Sequence, residues 1–431
     1  MNVLGRAQIA PFVTLDLSRL LSRAGADVPT GIDRVELAYA VYLLSHAPER
    51  VEFVALHPLG RFGSLPFDAT ARFVEALAAR WDAGVVDDTT AVRLGRRLLH
   101  GLMLPRSDRN PHRPASGDLR RRVYLLLSHH HLTRPAVVAQ AIAKRGAAFV
   151  PMVHDLIPLE FPEYSREREP ARHASRIDTV VRQADAVLVP SEAVRGSLLP
   201  YLERAGRPHV PVWVIPHGVH LRALPNARIG PDAATGPVPH PYFICLGTIE
   251  ARKNHLLLLN LWRRLVEEHG EQAPHLVLIG KRGWENEQVL DMIERCPALK
   301  GVVKEHNALP DEEVVRLLKG ARALLFPSFA EGYGLPLAEA LSLGVPAICS
   351  DIPVFREVGG GRPYMLDPLD TMAWKRKVEA FTGNDTDREA QRASLRDLPV
   401  PGWDDSVRSA MQLIDGYASN ATVAVSAGSG D

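Results

Sequence analysis

Two carboxylates, Glu331 and Glu339, are separated by seven residues in the stretch Phe329-Ala330-Glu331-Gly332-Tyr333-Gly334-Leu335-Pro336-Leu337-Ala338-Glu339-Ala340. A glycine-rich turn begins at the first, and an apolar run with helical spacing carries the second. Pro336 is acceptable in a first helical turn, where its missing N–H has no partner to lose. The pattern predicts a helix from about Gly334 or Leu335 toward Gly344. Backbone N–H groups at such a start favour an anion, and Gly332 and Gly334 let a ligand approach the main chain. Carboxylates accept hydrogen bonds from hydroxyls while backbone amides take a phosphate. A nucleotide sugar carries both groups.

A second cluster, Leu246-Gly247-Thr248-Ile249-Glu250-Ala251-Arg252-Lys253-Asn254, lies between an apolar strand and a predicted helix Leu256–Glu268. Arg252 and Lys253 are adjacent cations at a strand–helix junction, suited to neutralising a diphosphate. Basic residues there that merely faced water would oppose the positive helix end. His154 closes the strand Ala148–Val153 in Val153-His154-Asp155-Leu156-Ile157-Pro158, which brings an imidazole and a carboxylate to a sheet edge. Gly31, in Thr30-Gly31-Ile32-Asp33-Arg34, marks a turn where a diphosphate or acceptor could come close. Two segments suggest a metal at first sight. Side chains of the adjacent His129, His130 and His131 diverge, however, and Asp385-Thr386-Asp387 reads as a turn and helix cap. No metal is expected.

The Glu331–Glu339 segment resembles the Glu-x7-Glu motif of glycosyltransferase family 4, retaining enzymes of the GT-B fold. The resemblance implies that Glu331 contacts donor-sugar hydroxyls and Glu339 the nucleotide ribose, with Gly332, Tyr333, Gly334 and Leu335 lining the donor. It implies Lys253 as the phosphate lysine and His154, in a His-Asp-Leu-Ile-Pro phrase, as the imidazole approaching the sugar. Thr248 stands where family members commonly carry arginine, which leaves open whether Arg252 supplies that guanidinium. The phrase from Gly247 to Asn254 is similar to a branch associated with mannosyl transfer in bacterial surface polysaccharides. That likeness implies GDP-mannose as donor, with UDP- or dTDP-sugars as alternatives, and a lipid-linked or growing glycan as acceptor, without metal or other cofactor. A nucleotide-sugar epimerase and a non-catalytic sensor or scaffold of an assembly complex are the competing readings. Ile215-Pro216-His217-Gly218-Val219 is similar to the family's Ile-Pro-Asn-Gly-Val hinge.

The elements that must position these groups alternate between short apolar runs and longer helical patterns, the signature of parallel sheets with crossover helices. Strands are expected at Phe12–Leu17, Val51–Leu56, Val123–Leu127, Ala148–Val153, Ala186–Val189 and Val212–Ile215. A second series follows at Tyr242–Leu246, His275–Ile279, Gly301–Lys304, Ala323–Phe326, Ala347–Cys349 and Tyr364–Leu366. The 431 residues exceed the usual reach of one core, and 46% hydrophobic content can fill two. We therefore expect an α/β protein of two doubly wound, Rossmann-like domains facing a cleft: an acceptor domain over 1–224, a linker over 225–241 and a donor domain over 242–402. A helix over 403–417 should return to the first domain, and 418–431 should be a disordered tail.

A net charge of +1 excludes polyanion binding by bulk electrostatics, so no nucleic-acid partner is expected. Cys245, Cys296 and Cys349 are widely spaced and suit free thiols in a reducing compartment. No secretory signal or long apolar run is visible, and the expected location is cytoplasmic or peripheral on the inner face of the membrane. Segment Val92–Arg122 is arginine-rich, with apolar Leu94, Leu98, Leu99, Leu102 and Met103 among its first cations. Either a cationic amphipathic helix lying on anionic lipid or an ordinary arginine-fringed surface helix fits it.

Overall fold

Strands that are apolar on both faces must be covered on both sides, and the first half of the chain does this with seven. They are Phe12–Asp16 (β1), Val51–Leu56 (β2), Phe62–Ser64 (β3), Arg122–Leu126 (β4), Ala147–Pro151 (β5), Val187–Val189 (β6) and Val212–Val214 (β7). The computed structural model describes residues 10–83, 89–104, 121–220, 239, 241–307, 309–383 and 385–427. The main sheet runs β3-β2-β1-β4-β5, parallel except for β3, and a bridge from Met152 to Leu188 continues it toward the β6–β7 pair.

The second half holds Tyr242–Leu246 (β8), His275–Ile279 (β9), Val303–His306 (β10), Leu324–Phe326 (β11), Ala347–Ser350 (β12) and Tyr364–Leu366 (β13). They form one parallel sheet in the order β10-β9-β8-β11-β12-β13. In each half the order reverses at the middle, between β1 and β4 and between β8 and β11. Loops leaving such neighbours diverge, and a crevice opens at the carboxyl ends of the strands. This is the GT-B architecture.

Each expected strand is present. The sequence reading lacked β3, a three-residue antiparallel edge whose glycine, Gly63, lies against Leu102. Most of the expected linker 225–241 lies outside the described residues, as do 105–120 of the arginine-rich segment. The last helix, Trp403–Ala427, returns to the first half. There Val407, Ala410, Met411 and Ile414 join the β1 core, and Arg50 pairs with Asp415 at 2.7 Å. The helix is drawn to Ala427, ten residues past the expected end at Tyr417.

The helix Thr90–Met103 corrects one of the two readings of the arginine-rich segment. Ala91, Gly95, Leu98 and Leu102 are buried, and Ala91, Leu98 and Leu102 belong to the β1 core, so its apolar stripe faces protein and not lipid. No described helix is long and apolar enough to cross a membrane. Cys245 and Cys349 are buried and all three cysteines are free.

Candidate active site

A cleft of about 390 Å³ opens between the carboxyl ends of the two sheets. From the second half Thr248, Arg252, Lys253, Glu331, Gly332, Tyr333, Gly334, Leu335 and Glu339 line it, and from the first half Gly31 and His154. All eleven residues singled out in the sequence thus share one wall or the other.

Local geometry explains how they arrive there. After β8 the chain makes a tight turn at Ala251–Lys253, and Asn254 adopts a left-handed conformation (φ 55°) before the helix His255–His269. After β11 the loop docks on that turn, with the Phe329 N–H donating to the Arg252 carbonyl at 2.8 Å. Gly334, at φ 92°, then turns the chain into the helix Leu335–Ser342, where Pro336 occupies the first turn. The two loops therefore leave the two strands that flank the switch point, and main-chain hydrogen bonding sets their separation.

Glu331 is the electrostatic centre. Its carboxylate pairs with the Lys253 ammonium and, at 2.9 Å, with the Arg252 guanidinium. Arg252 also reaches Glu250 at 2.7 Å and donates to the Ala330 carbonyl at 2.8 Å. Burial alone would raise the Glu331 pKa, but the two cations outweigh burial and hold it at about 2. Burial opposes the charge on Arg252 as well, yet Glu331 and Glu250 keep it more firmly protonated than usual. Lys253 moves the other way: burial lowers its pKa, and the neighbouring guanidinium adds to that although Glu331 opposes it. Two cations and two carboxylates, Glu331 and Glu250, thus meet in one buried network, and Lys253 is the less firmly charged of the two cations.

Glu339 sits about one turn into its helix, buried, with its pKa pushed up to about 7 by burial, assisted by Asp311 and opposed by Arg34. Arg34, from the helix Gly31–His46, crosses the cleft to Asp311 at 2.9 Å. Neither residue was singled out in the sequence. No local signal exists for a pair 277 residues apart, although Arg34 stood inside the quoted glycine loop. Lys281, after β9, also lines the cleft and was missed.

His154 faces the cleft, but its imidazole is anchored. Nε2 lies 2.7 Å from the Leu127 carbonyl, so that nitrogen carries the proton and Nδ1 is left as an acceptor. Its ring packs at 5.5 Å from His129 and 5.7 Å from His217. Burial lowers its pKa and keeps it neutral. A neutral imidazole can orient a hydroxyl; it adds no positive charge to the site.

The three consecutive histidines do diverge: His131 bonds Tyr124 at 3.0 Å, while His129 meets His154 and His173 edge to face. Asp385 caps the helix Thr386–Ser394. Among the described residues, the one group of ligating side chains with metal-holding spacing is Glu268, His269 and Glu379. None of them lines the cleft, and the Lys375 ammonium already bridges the two carboxylates at 2.6 Å.

Tyr333 donates to the His217 carbonyl at 3.0 Å, and Ser191 donates to the Gly332 carbonyl at 2.9 Å. The Glu331–Glu339 loop is therefore held by the first half as well as by its own. A Cβ on Gly332 would meet the His154 carbonyl oxygen at 2.2 Å, so this glycine is required by close approach of the two halves.

Residues 234–396, which carry the cations and both carboxylates, match the family described as glycosyl transferases group 1. O-antigen chain mannosyltransferase B of Escherichia coli is 36% identical over 152 residues, covering 35% of this chain and 39% of that protein. Serotype-specific mannosyltransferase WbdA of Escherichia coli is 30% identical over 242 residues, covering 52% of this chain and 29% of that protein. The chain thus spans less than half the length of either mannosyltransferase. Among solved structures, α,α-trehalose 6-phosphate synthase of Burkholderia multivorans superposes with a TM-score of 0.59 at 13% identity, over 96% of this chain and 100% of that one. That likeness is one of fold.

Proposed function

We propose that this chain, a GT-B protein whose residues 234–396 form a glycosyl transferases group 1 domain, is a retaining glycosyltransferase that moves mannose from GDP-mannose to a hydroxyl of a lipid-linked or growing surface polysaccharide. The observation that carries the reading is the pairing of Arg252 and Lys253 with Glu331 across two loops of the interdomain cleft. The mannosyl and polysaccharide parts rest on the names of the Escherichia coli relatives.

Departure of a nucleoside diphosphate from the anomeric carbon builds negative charge on phosphate, and preorganised cations stabilise that charge most. In the free protein Glu331 neutralises Arg252 and Lys253 and so keeps two buried cations in place. An arriving diphosphate competes for the same cations, and the carboxylate it releases is then available to the sugar hydroxyls. The start of the helix Leu335–Ser342, with the positive end of its dipole, lies on the same wall of the cleft. His154 orients the sugar through Nδ1, and Glu339 accepts from the ribose. With two protein cations at the leaving group, we propose transfer without a metal ion.

A thermal-shift panel of nucleotide sugars, each with and without EDTA, tests this. A ligand at a hundred times its dissociation constant adds about 2.7 kcal/mol. An EDTA-insensitive shift with GDP-mannose alone supports the reading, and release of GDP on addition of acceptor completes it. A shift with UDP- or dTDP-sugars only would change the donor. No shift with any of them would overturn the reading in favour of a scaffold that does not bind donor.

A further inference from the structure

We infer that Glu250 is a positioning residue: it aims the Arg252 guanidinium at an anion in the cleft, and goes on doing so after Glu331 has turned to the sugar. The second clause rests on the transfer proposed above; the first does not. Glu250 is 3% exposed and does not line the cleft, whereas Arg252 does. Its carboxylate meets Arg252 at Nε, 2.7 Å away, while Glu331 and the Ala330 carbonyl take Nη1. A guanidinium is planar, with its donors in a fixed fork. Engaging Nε and Nη1 therefore fixes its plane, and the edge at Nη2 is the one that can meet a phosphate.

Glu250 is itself held from behind. The segment 247–250 continues β8 and pairs with the turn after β9. Gly247 N–H donates to the Ile279 carbonyl at 2.8 Å and Ile249 N–H to the Lys281 carbonyl at 2.9 Å. Gly283 N–H donates back to the Ile249 carbonyl at 2.9 Å, and the buried Asn286 adds its Nδ2 to that same carbonyl at 2.7 Å. A Cβ on Gly280 would meet the Gly247 carbonyl oxygen at 1.9 Å, so the two segments are in direct main-chain contact. Glu250, extended at φ −145°, is the last residue before the turn Ala251–Lys253. Its side chain thus leaves from a main chain already fixed.

The two cations differ in how much they need such a brace. The Lys253 ammonium lies over the Phe326 ring, 4.7 Å from its centroid, as well as against Glu331. Arg252 is held by two carboxylates, and of these Glu331 is the one on the cleft wall. When a diphosphate displaces Glu331, Glu250 is the carboxylate that stays. Without it a long side chain regains rotamer freedom at the moment its aim matters. By charge alone a carboxylate beside an anion site weakens anion binding. What Glu250 contributes there is geometry, and that difference in sign can be measured.

Calorimetric titration of the full chain with inorganic pyrophosphate tests the inference, using two variants that separate reach from charge. Glu250→Asp keeps the charge and withdraws it from Nε by one methylene. Glu250→Gln keeps an oxygen within reach and removes the charge. Glu250→Asp should weaken pyrophosphate binding about tenfold, the worth of a lost hydrogen bond to a charged group. Glu250→Gln should bind it as wild type does, or tighter. In an Arg252→Ala background Glu250→Asp should change nothing further. Asn286→Ala, which loosens the Ile249 carbonyl outside the cleft, should act in the same direction as Glu250→Asp. With GDP-mannose, Glu250→Asp should lower kcat by up to about 100-fold and change KM far less, and Glu250→Gln should keep most of the rate. An Asp variant that binds pyrophosphate like wild type, a Gln variant as weak as the Asp one, losses that multiply in the Arg252→Ala background, or a wild type that does not bind pyrophosphate would each overturn the inference. The expected pyrophosphate pattern without turnover of any nucleotide sugar would sink only the transfer reading.

Discussion

Glu331 answers to two cations, and removing its charge has effects that separate. Glu331→Gln keeps the shape of the side chain but leaves Lys253 and Arg252 short of an anion in a buried site. Breaking such a pair costs about 3 kcal/mol or more, and loss of the group facing the sugar should lower turnover about 10²–10³-fold, by analogy with other lost polar contacts to a transition state. Urea unfolding and initial rates measure the two; a variant as stable and as active as the wild type would remove Glu331 from the site. Glu339 gives a different signature because its pKa is raised. Its ordinary value is 4.5 and burial pushes it up to about 7. Between those values the folded chain keeps a proton that the unfolded chain has released. This contribution to stability is therefore full below pH 4.5 and declines as pH rises through 7, by about 3 kcal/mol in all. Glu339→Gln removes the ionisation, so its stability relative to wild type should improve steadily from pH 5 to pH 8. Parallel stability curves for the two proteins would show that Glu339 ionises freely.

Loops after β8 and β11 meet because of sheet order, and Gly332 shows how tightly. A methyl group there would press on the His154 carbonyl of the other half at 2.2 Å. Backbone against backbone cannot yield locally, so Gly332→Ala should push the halves apart and leave each core as it is. We expect at least a tenfold loss of kcat/KM, on the scale of a misplaced reacting group, a larger radius of gyration by X-ray scattering, and an almost unchanged melting temperature. Full activity with an unchanged radius would mean that the seam is not needed. Much of this level was legible in the sequence. Apolar runs of three to six residues between helical periods located the strands, and glycines next to charged residues located the loops. Edge strand β3 escaped because Phe62-Gly63-Ser64 has a single large apolar side chain and so forms no apolar run. The stripe of the helix Thr90–Met103 was legible as amphipathic, but periodicity gives a face and not the surface that face meets. Arg34 and Asp311 were illegible for a related reason: only the assembled fold brings them together.

Across the whole molecule the two halves are joined at the cleft by contacts of four kinds. Arg34 pairs with Asp311, Tyr333 donates to the His217 carbonyl and Ser191 to the Gly332 carbonyl, and Tyr164 stacks on Phe329 with ring centroids 5.3 Å apart. Glu357 accepts from the Glu192 N–H at 2.9 Å and so places a carboxylate at the start of the helix Glu192–Arg204 in the opposite half. Of these only the Arg34–Asp311 pair spans the cleft beside the buried carboxyl of Glu339. The side chains are 18% and 8% exposed, which puts the pair between the weak surface kind and the costly buried kind. Arg34→Ala leaves Asp311 and Glu339 as neighbouring carboxylates without that cation, and should cost about 1–2 kcal/mol. Asp311→Asn removes the repulsion along with the pair. The double variant should therefore be more stable than the sum of the single losses allows, by about 1 kcal/mol, as residues in direct contact show. Losses that simply add, within about 0.3 kcal/mol, would mean that the pair forms without coupling the halves. Donor titrations on the same variants separate closure from binding. If the pair holds the halves closed, Arg34→Ala raises KM more than it lowers kcat, because the cations and Glu331 sit in the other half and stay in place.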